Sequence, residues 1–416
     1  MKEIQQMRKS IVAVLAAGLS LSLAACGGNA TTTTPAATGG STASAPADAG
    51  TLTVWVDETR IDAFKELGTE FKAATGVSLD VVQKPTGDIK TDFIAQAPTG
   101  EGPDLIVGAH DWLGDLVSNG VVAPVELGDA VGGLSDIAKT AFSSEGQLYG
   151  VPYAIENIGL VRNNAIVQDT PATFDELVAQ GKETGKQFPV IIQQGENGDA
   201  YHLYPLQTSF GAPVFKTDAN GEYTNELGMA GAEGAAFAEY LKKLAGEGVL
   251  SANIGGDQAK QAFLDGNSPY IVTGPWWTGD FTEAGLDITV LPIPSAGGQA
   301  AAPFLGVQGV YLSSKTENTL LANQFLDYVA SDEAQTKLHE LGGRTPASTK
   351  AADAISDEVL AGFAEAGKDG QPMPAIPEMT AVWNFWGAAE ASIINGQAAD
   401  PAAAWTEMNN NIKAAF

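Results

Sequence analysis

Seven tryptophans stand in this chain, and most sit where their flat faces could do more than fill a core. Trp112 follows His110-Asp111 directly after the apolar run Asp104–Gly108. Trp276-Trp277 follows the apolar run Pro269–Thr273 in the same way. Trp383 and Trp386 stand three apart behind the stiff segment PMPAIPEM. Trp55, inside Leu52–Val56, and Trp405, in the last amphipathic stretch, read as core. An indole face packs on the apolar C–H face of a pyranose, while neighbouring Asp, Glu and Asn side chains take its rim hydroxyls. In open α/β sheets, ligands bind outside the carboxyl ends of strands, which is where Asp111, Trp112 and Trp276 fall. The chemistry implied is non-covalent grip of a neutral saccharide.

Signatures of other chemistry are missing. No G-x-x-x-x-G-K-[ST] and no G-x-S-x-G occurs, and Gly100-Glu101-Gly102 lacks the third glycine of a dinucleotide fingerprint and precedes a strand. His339-Glu340 lacks the second histidine of a zincin, and Asp218-Ala219-Asn220-Gly221 reads as a hairpin turn rather than a calcium loop. One cysteine excludes a disulfide framework and a cysteine-based zinc cluster, and three histidines leave little for a metal centre. No cofactor, no metal and no catalytic residue are expected. A formal net charge of −28 has the wrong sign for a nucleic-acid binder and favours solubility instead. With 50 acidic residues, a pair at glycosidase separation arises by chance and proves little.

The elements that must position these residues read as α/β. Leu52–Val56 is a buried strand. Ile61, Phe64, Leu67, Phe71 and Ala74 recur at helical spacing and end at Gly76, a natural C-terminal cap. Val77–Gln83 is a strand, Ile89–Ala97 a short helix and Asp104–Gly108 a strand, which makes β-α-β-α-β. Further on, Thr173 and Glu176 have capping-box spacing, Val190–Gln193 and Pro269–Thr273 read as strands, and Gly231–Leu244 as a long helix. From Glu317 onward the chain reads as almost wholly helical. No internal repeat is visible, and 416 residues imply two lobes rather than one.

Residues 1–25 join a basic start (Lys2, Arg8, Lys9) to the uncharged run Ile11–Ala25, the pattern of an export signal and too short to span a bilayer comfortably. Leu23-Ala24-Ala25-Cys26 resembles a bacterial lipobox, so Cys26 is expected to be lipidated and to anchor the chain to the membrane. Residues 26–50 are nearly all Gly, Ala, Ser, Thr and Pro. They read as a tether, with a random-coil reach of about 25–30 Å.

The segments GEGPDLIVGAHDWLG, GVPYAIENIGLVRN, AYHLYPL, YIVTGPWW and MPAIPEMTAVW, in this order, resemble the extracellular solute-binding proteins of carbohydrate ABC importers, of the maltose/maltodextrin-binding type. The resemblance covers Thr51 to Phe416. It implies a two-lobe periplasmic-binding-protein-like α/β fold, with parallel-rich sheets flanked by helices and a hinge between the lobes. The N-lobe would comprise 51–155 with 307–329, and the C-lobe 156–306 with 330–416. Crossings would fall near Tyr153–Glu156, Phe304–Gln308 and Val329–Ser331. It also implies roles: Asp111 and Glu156 as carboxylates for sugar hydroxyls, Tyr201, Trp276 and Trp383 as stacking aromatics, and Asp199 as a further acidic ligand in a locally different loop. Glu58 and Arg60 lie on the loop where the family binds one end of the sugar. Gly108 stands where maltodextrin binders have a tryptophan, and Trp112 is placed to supply that ring. Asn384 and Gly387 replace the Tyr and Arg of those binders, with Trp386 and Arg344 as candidate compensations; for Arg344, an ion pair is the alternative.

Function on this reading is capture of a malto-oligosaccharide by hinge closure, as a monomer, and delivery to the membrane subunits of an ABC permease. Three alternatives stay open: a binder of another oligosaccharide such as trehalose, a glycoside hydrolase using Asp111 or Glu156, and a glycan sensor that does not transport.

Overall fold

The computed structural model describes residues 48–219 and 221–416; the export segment, Cys26 and all but the last three residues of the tether lie outside the described residues. The first strand, Gly50–Val56, runs parallel to Val77–Gln83 and to Leu105–Ala109. Helix Ile61–Thr75 joins the first pair, buries Ile61, Phe64, Leu67 and Phe71, and stops at Gly76 in the left-handed region (φ 80°), which glycine adopts without penalty. The long strand Phe304–Leu312 then pairs antiparallel with both Leu105–Ala109 and Gly150–Glu156. Thr345–Pro346 closes the sheet beyond Gly150–Glu156, and Gln371–Pro372 joins the start of Phe304–Leu312.

A second sheet carries the order Ile288–Leu291, Gly159–Asn163, Tyr270–Thr273, Ile191–Ile192. Only its last pair is parallel. Both sheets are therefore mixed, not parallel-rich. The two-lobe α/β class itself is what the structure has. One core gathers Leu52, Phe64, Leu105, Phe142, Tyr153 and Phe325; a second gathers Leu160, Phe174, Phe237, Trp386 and Trp405, with a smaller cluster around Phe263 and Phe281 on the other face of the second sheet.

The expected lobe boundaries need one correction. Helix Asp332–Gly342 and strand Thr345–Pro346 belong to the N-lobe: Ala334, Leu338 and Ala347 are part of its core. Gln335 Nε2 donates to the Pro152 carbonyl at 3.1 Å, and Thr345 pairs with Ile155. Ser348 and Thr349 still bond to Gln335, Asp332 and Gly133 of that lobe, so helix Thr349–Asp353 stays with it and Val329–Ser331 is not a crossing. The first two crossings sit on strands whose ends lie in different cores, Tyr153 against Ile158 and Val307 against Phe304. The structure also has the Thr173–Glu176 capping box and a long helix at Ala232–Gly246.

Candidate ligand-binding site

The N-lobe contributes the end of strand Leu105–Ala109. A short 3-10 turn, His110–Trp112, follows it and lays the Trp112 indole back over Gly108: a β-carbon at Gly108 would lie 2.0 Å from Trp112 Cζ3. The C-lobe repeats this device. After strand Tyr270–Thr273, a β-carbon at Gly274 would lie 2.0 Å from Trp276 Cζ3. In each lobe a glycine at the strand end gives an indole room to fold back, and both rings remain only partly buried.

Asp111 is 7% exposed and accepts from Trp383 Nε1 at 2.9 Å through Oδ2, while its buried Oδ1 has no protein partner. Burial pushes its carboxyl up, against the lowering pull of His110, Lys90 and the Trp383 N–H. Trp383 comes from helix Glu378–Ile394, packed on the C-lobe core, so this bond joins the lobes. Beside it, Lys90 meets Asp115 at 3.1 Å and donates to Thr380 Oγ1 at 3.0 Å. The lobes approach so closely here that a β-carbon at Gly114 would lie 2.5 Å from the Ala375 carbonyl.

Near the first crossing, Glu156 accepts from Arg344 Nε at 2.5 Å and from Gln308 Nε2 at 2.6 Å, with Arg60 Nη2 at 3.5 Å. Arg60 also pairs with Asp57 and donates to Tyr153 Oη at 2.9 Å. Burial alone would raise Asp57, but Arg60 and Arg344 hold it below the usual carboxylate range. Arg344 Nη2 donates to Thr59 Oγ1 at 2.9 Å, and its guanidinium lies 5.9 Å from the Trp276 ring centre. Gly343 permits this approach: it is left-handed (φ +67°), and a β-carbon there would sit 3.0 Å from the Pro275 carbonyl.

Tyr201 ties the parts together. Its phenol is pushed well above the ordinary range by burial and then by Glu156, Asp199 and Asp111, with Arg344 opposing. Its ring stacks over Phe304 at 6.4 Å, and Phe304 in turn lies 6.3 Å from Trp383.

This arrangement of two α/β lobes, with aromatics and carboxylates meeting between them, accompanies a clear likeness to known proteins. The family model for bacterial extracellular solute-binding proteins matches residues 66–405. The chain belongs to that family. It is 27% identical to a maltodextrin-binding protein of Bacillus subtilis, over 91% of this chain and 90% of that protein. It is 25% identical to a galactooligosaccharide-binding protein of Bacillus subtilis, over 96% and 95% of the two chains. The solved structure of a Thermus thermophilus maltotriose-binding protein, with maltotriose bound, superposes with a TM-score of 0.81 at 31% identity, covering 88% of this chain and 99% of that one.

Of the residues expected at the site of this solute-binding protein, Asp111, Trp383 and Tyr201 form one linked group and Glu156, Arg344, Arg60 and Trp276 another, and His202 stands edge-on to both Tyr201 and Trp276 between them. Trp112 stands beside Asp111 over Gly108. Trp386 is a correction: it is fully buried, donates Nε1–H to Gln207 Oε1 at 3.1 Å and backs Trp383 with a stacked ring at 5.5 Å, so it supports the site's wall from inside the core. Asn384 is exposed, and Glu58, also exposed, accepts from Thr86 Oγ1 at 3.2 Å; neither is tied to the cluster. Asp199 caps helix Ala200–Ser209 and is occupied by protein donors. Sequence reasoning passed over Thr59, Gln308, Phe304 and His202. Gln308 had a visible signal, a lone amide in the apolar strand FLGVQGVYL. Two surface hollows, about 370 Å³ beside Pro171 and Pro294 and about 500 Å³ beside Glu70 and Glu333, contain none of the expected residues.

Proposed function

We propose that this chain captures a malto-oligosaccharide between its lobes and hands it, unaltered, to the membrane subunits of an ABC importer. The observation that carries the reading is the run of rings from Trp276 through His202, Tyr201 and Phe304 to Trp383, whose indole N–H holds Asp111 of the other lobe. Indole faces take the apolar faces of glucosyl rings, and Asp111, whose buried Oδ1 has no protein partner, takes a rim hydroxyl. Contacts drawn from both lobes favour the closed form only when the sugar bridges them, which is how binding drives hinge closure. Glu156 is held by Arg344, Gln308 and Arg60, which suits a fixed acceptor rather than a proton-shuttling acid. The chain acts as a monomer, with a lobe division at 51–155 plus 307–353 and 156–306 plus the remainder, tethered outside the cytoplasm through lipidated Cys26.

A second reading, another oligosaccharide, has its own support. A β-carbon at Gly387 would lie 3.0 Å from the Asn197 carbonyl, so the loop before Asp199 fills the space a long side chain would take in a maltodextrin binder. A galactooligosaccharide-binding relative matches nearly the whole chain.

Deleting the gene and following labelled maltotriose tests transport directly. Loss of uptake with the sugar recovered intact from purified protein is the expected result; undiminished uptake, or maltotriose cleaved by the protein, would overturn the proposal.

A further inference from the structure

Asp199 stands where the family likeness puts a ligand-contacting carboxylate, yet its oxygens are taken. Oδ1 accepts the backbone N–H of His202 at 3.1 Å, Oδ2 accepts Gln193 Nε2 at 2.5 Å, and His202 Nδ1 lies 2.9 Å from both. Facing only a carboxylate, Nδ1 must carry a proton, so in the neutral ring Nε2 is left as a lone-pair acceptor. The same logic fixes Gln193: with its amide nitrogen on Asp199, Oε1 is left to accept. Both His202 Nε2 and Gln193 Oε1 are shut off from solvent and have no protein partner.

Two oriented acceptors without donors are costly unless something donates to them. They lie beside the site already described. The His202 ring stands edge-on to Trp276 at 6.1 Å and to Tyr201 at 5.4 Å, and Gln193 extends from the end of strand Ile191–Ile192, whose neighbour Tyr270–Thr273 leads into Trp276. Gln193 Oε1 also faces Gly256, where the Trp277 ring is the next neighbour.

We infer that His202 Nε2 and Gln193 Oε1 form a hydroxyl-reading pair for the sugar ring held on Trp276, with Asp199 as the positioning residue that fixes both as acceptors. The inference rests on the oligosaccharide reading and deepens it. The pair selects ligands that present hydroxyl donors at this end and discriminates against analogues in which those hydroxyls are replaced by methoxy groups. Asp199 acts through its neighbours and not by touching the sugar.

The test joins a fluorescence titration to nitrogen-15 spectra of the three histidines, with H202F assigning the His202 signals. Maltotriose and a galacto-oligosaccharide are the probes. Expected are an unprotonated Nε2 in the free protein and a shift of its resonance on saturation. H202F, which keeps an aromatic ring against Trp276, and Q193M should each bind at least tenfold more weakly, and D199N should move the His202 tautomer. If the wild-type chain binds a probe while H202F and Q193M bind it equally well, or the Nε2 signal is protonated or unmoved, the inference is overturned and these atoms hold ordered water only. If the wild-type chain binds neither probe, the oligosaccharide reading itself fails, and this inference with it.

Discussion

Trp383 donates its indole N–H to Asp111 across the two lobes, at 2.9 Å, and leaves the second Asp111 oxygen buried without a partner. One Asp111 oxygen is thereby fixed by a bond across the lobes and the other is left buried without a protein donor. Burial raises the Asp111 carboxyl, so its ionisation costs folding free energy: the stabilising neutral form dominates below the unfolded value and is lost as pH rises through the folded one. Asp111→Asn can still accept from Trp383 but cannot bear charge. Its melting temperature at neutral pH is expected to equal or exceed the parent's, while oligosaccharide affinity falls about tenfold or more. Calorimetry and thermal melts of the same preparation check both halves.

Trp276 and Trp386 should separate binding from stability. Trp276→Ala removes a partly exposed ring and is expected to weaken binding about tenfold with little change in melting temperature. Trp386→Ala empties a fully buried position and should cost about 3–5 kcal/mol of stability. Denaturant titration of both variants decides; equal loss of stability in the two would contradict their different placements.

Arg344 and Glu156 form a buried pair, so breaking it is worse than deleting it. Arg344→Met leaves Glu156 short of its closest cation and is expected to destabilise by about 3–5 kcal/mol, whereas Arg344→Met with Glu156→Gln recovers much of that loss. A double-mutant cycle by urea unfolding measures the difference.

Glu390 carries the clearest pH dependence. It is fully buried with both oxygens unpartnered, and burial, then the charge of Asp199, pushes its carboxyl well above the usual range. Its neutral form stabilises the fold below the unfolded value near 4.5, and that contribution disappears as pH rises through the folded one. Glu390→Gln should therefore be more stable than the parent at neutral pH, with the gap closing toward pH 4. Melting curves across that window check the sign.

Much of this was readable from residue order alone. Local rules gave the first β-α-β units, the Gly76 stop and the Thr173–Glu176 capping box, because each is decided within a few residues. Strand-end positions likewise pointed to Asp111 and Trp276. Trp386 was misread because Trp383 and Trp386, three apart, share one side of a helix, and periodicity cannot say which ring the next layer covers. Helix Asp332–Gly342 was placed in the wrong lobe because its membership depends on Gln335 reaching the Pro152 carbonyl, a contact 183 residues distant in the chain. Asp199 and His202 were legible as neighbours, but not the rotamers that turn the carboxylate onto its own helix.

Titration calorimetry of the purified chain with maltotriose, alongside a galacto-oligosaccharide, decides whether the lobes hold a sugar. Expected are saturable one-to-one binding of at least one of them, a negative heat-capacity change as apolar ring faces leave water, and full recovery of the intact sugar. No binding heat with either sugar at any temperature, or turnover of the sugar in the cell, would contradict capture of an intact sugar.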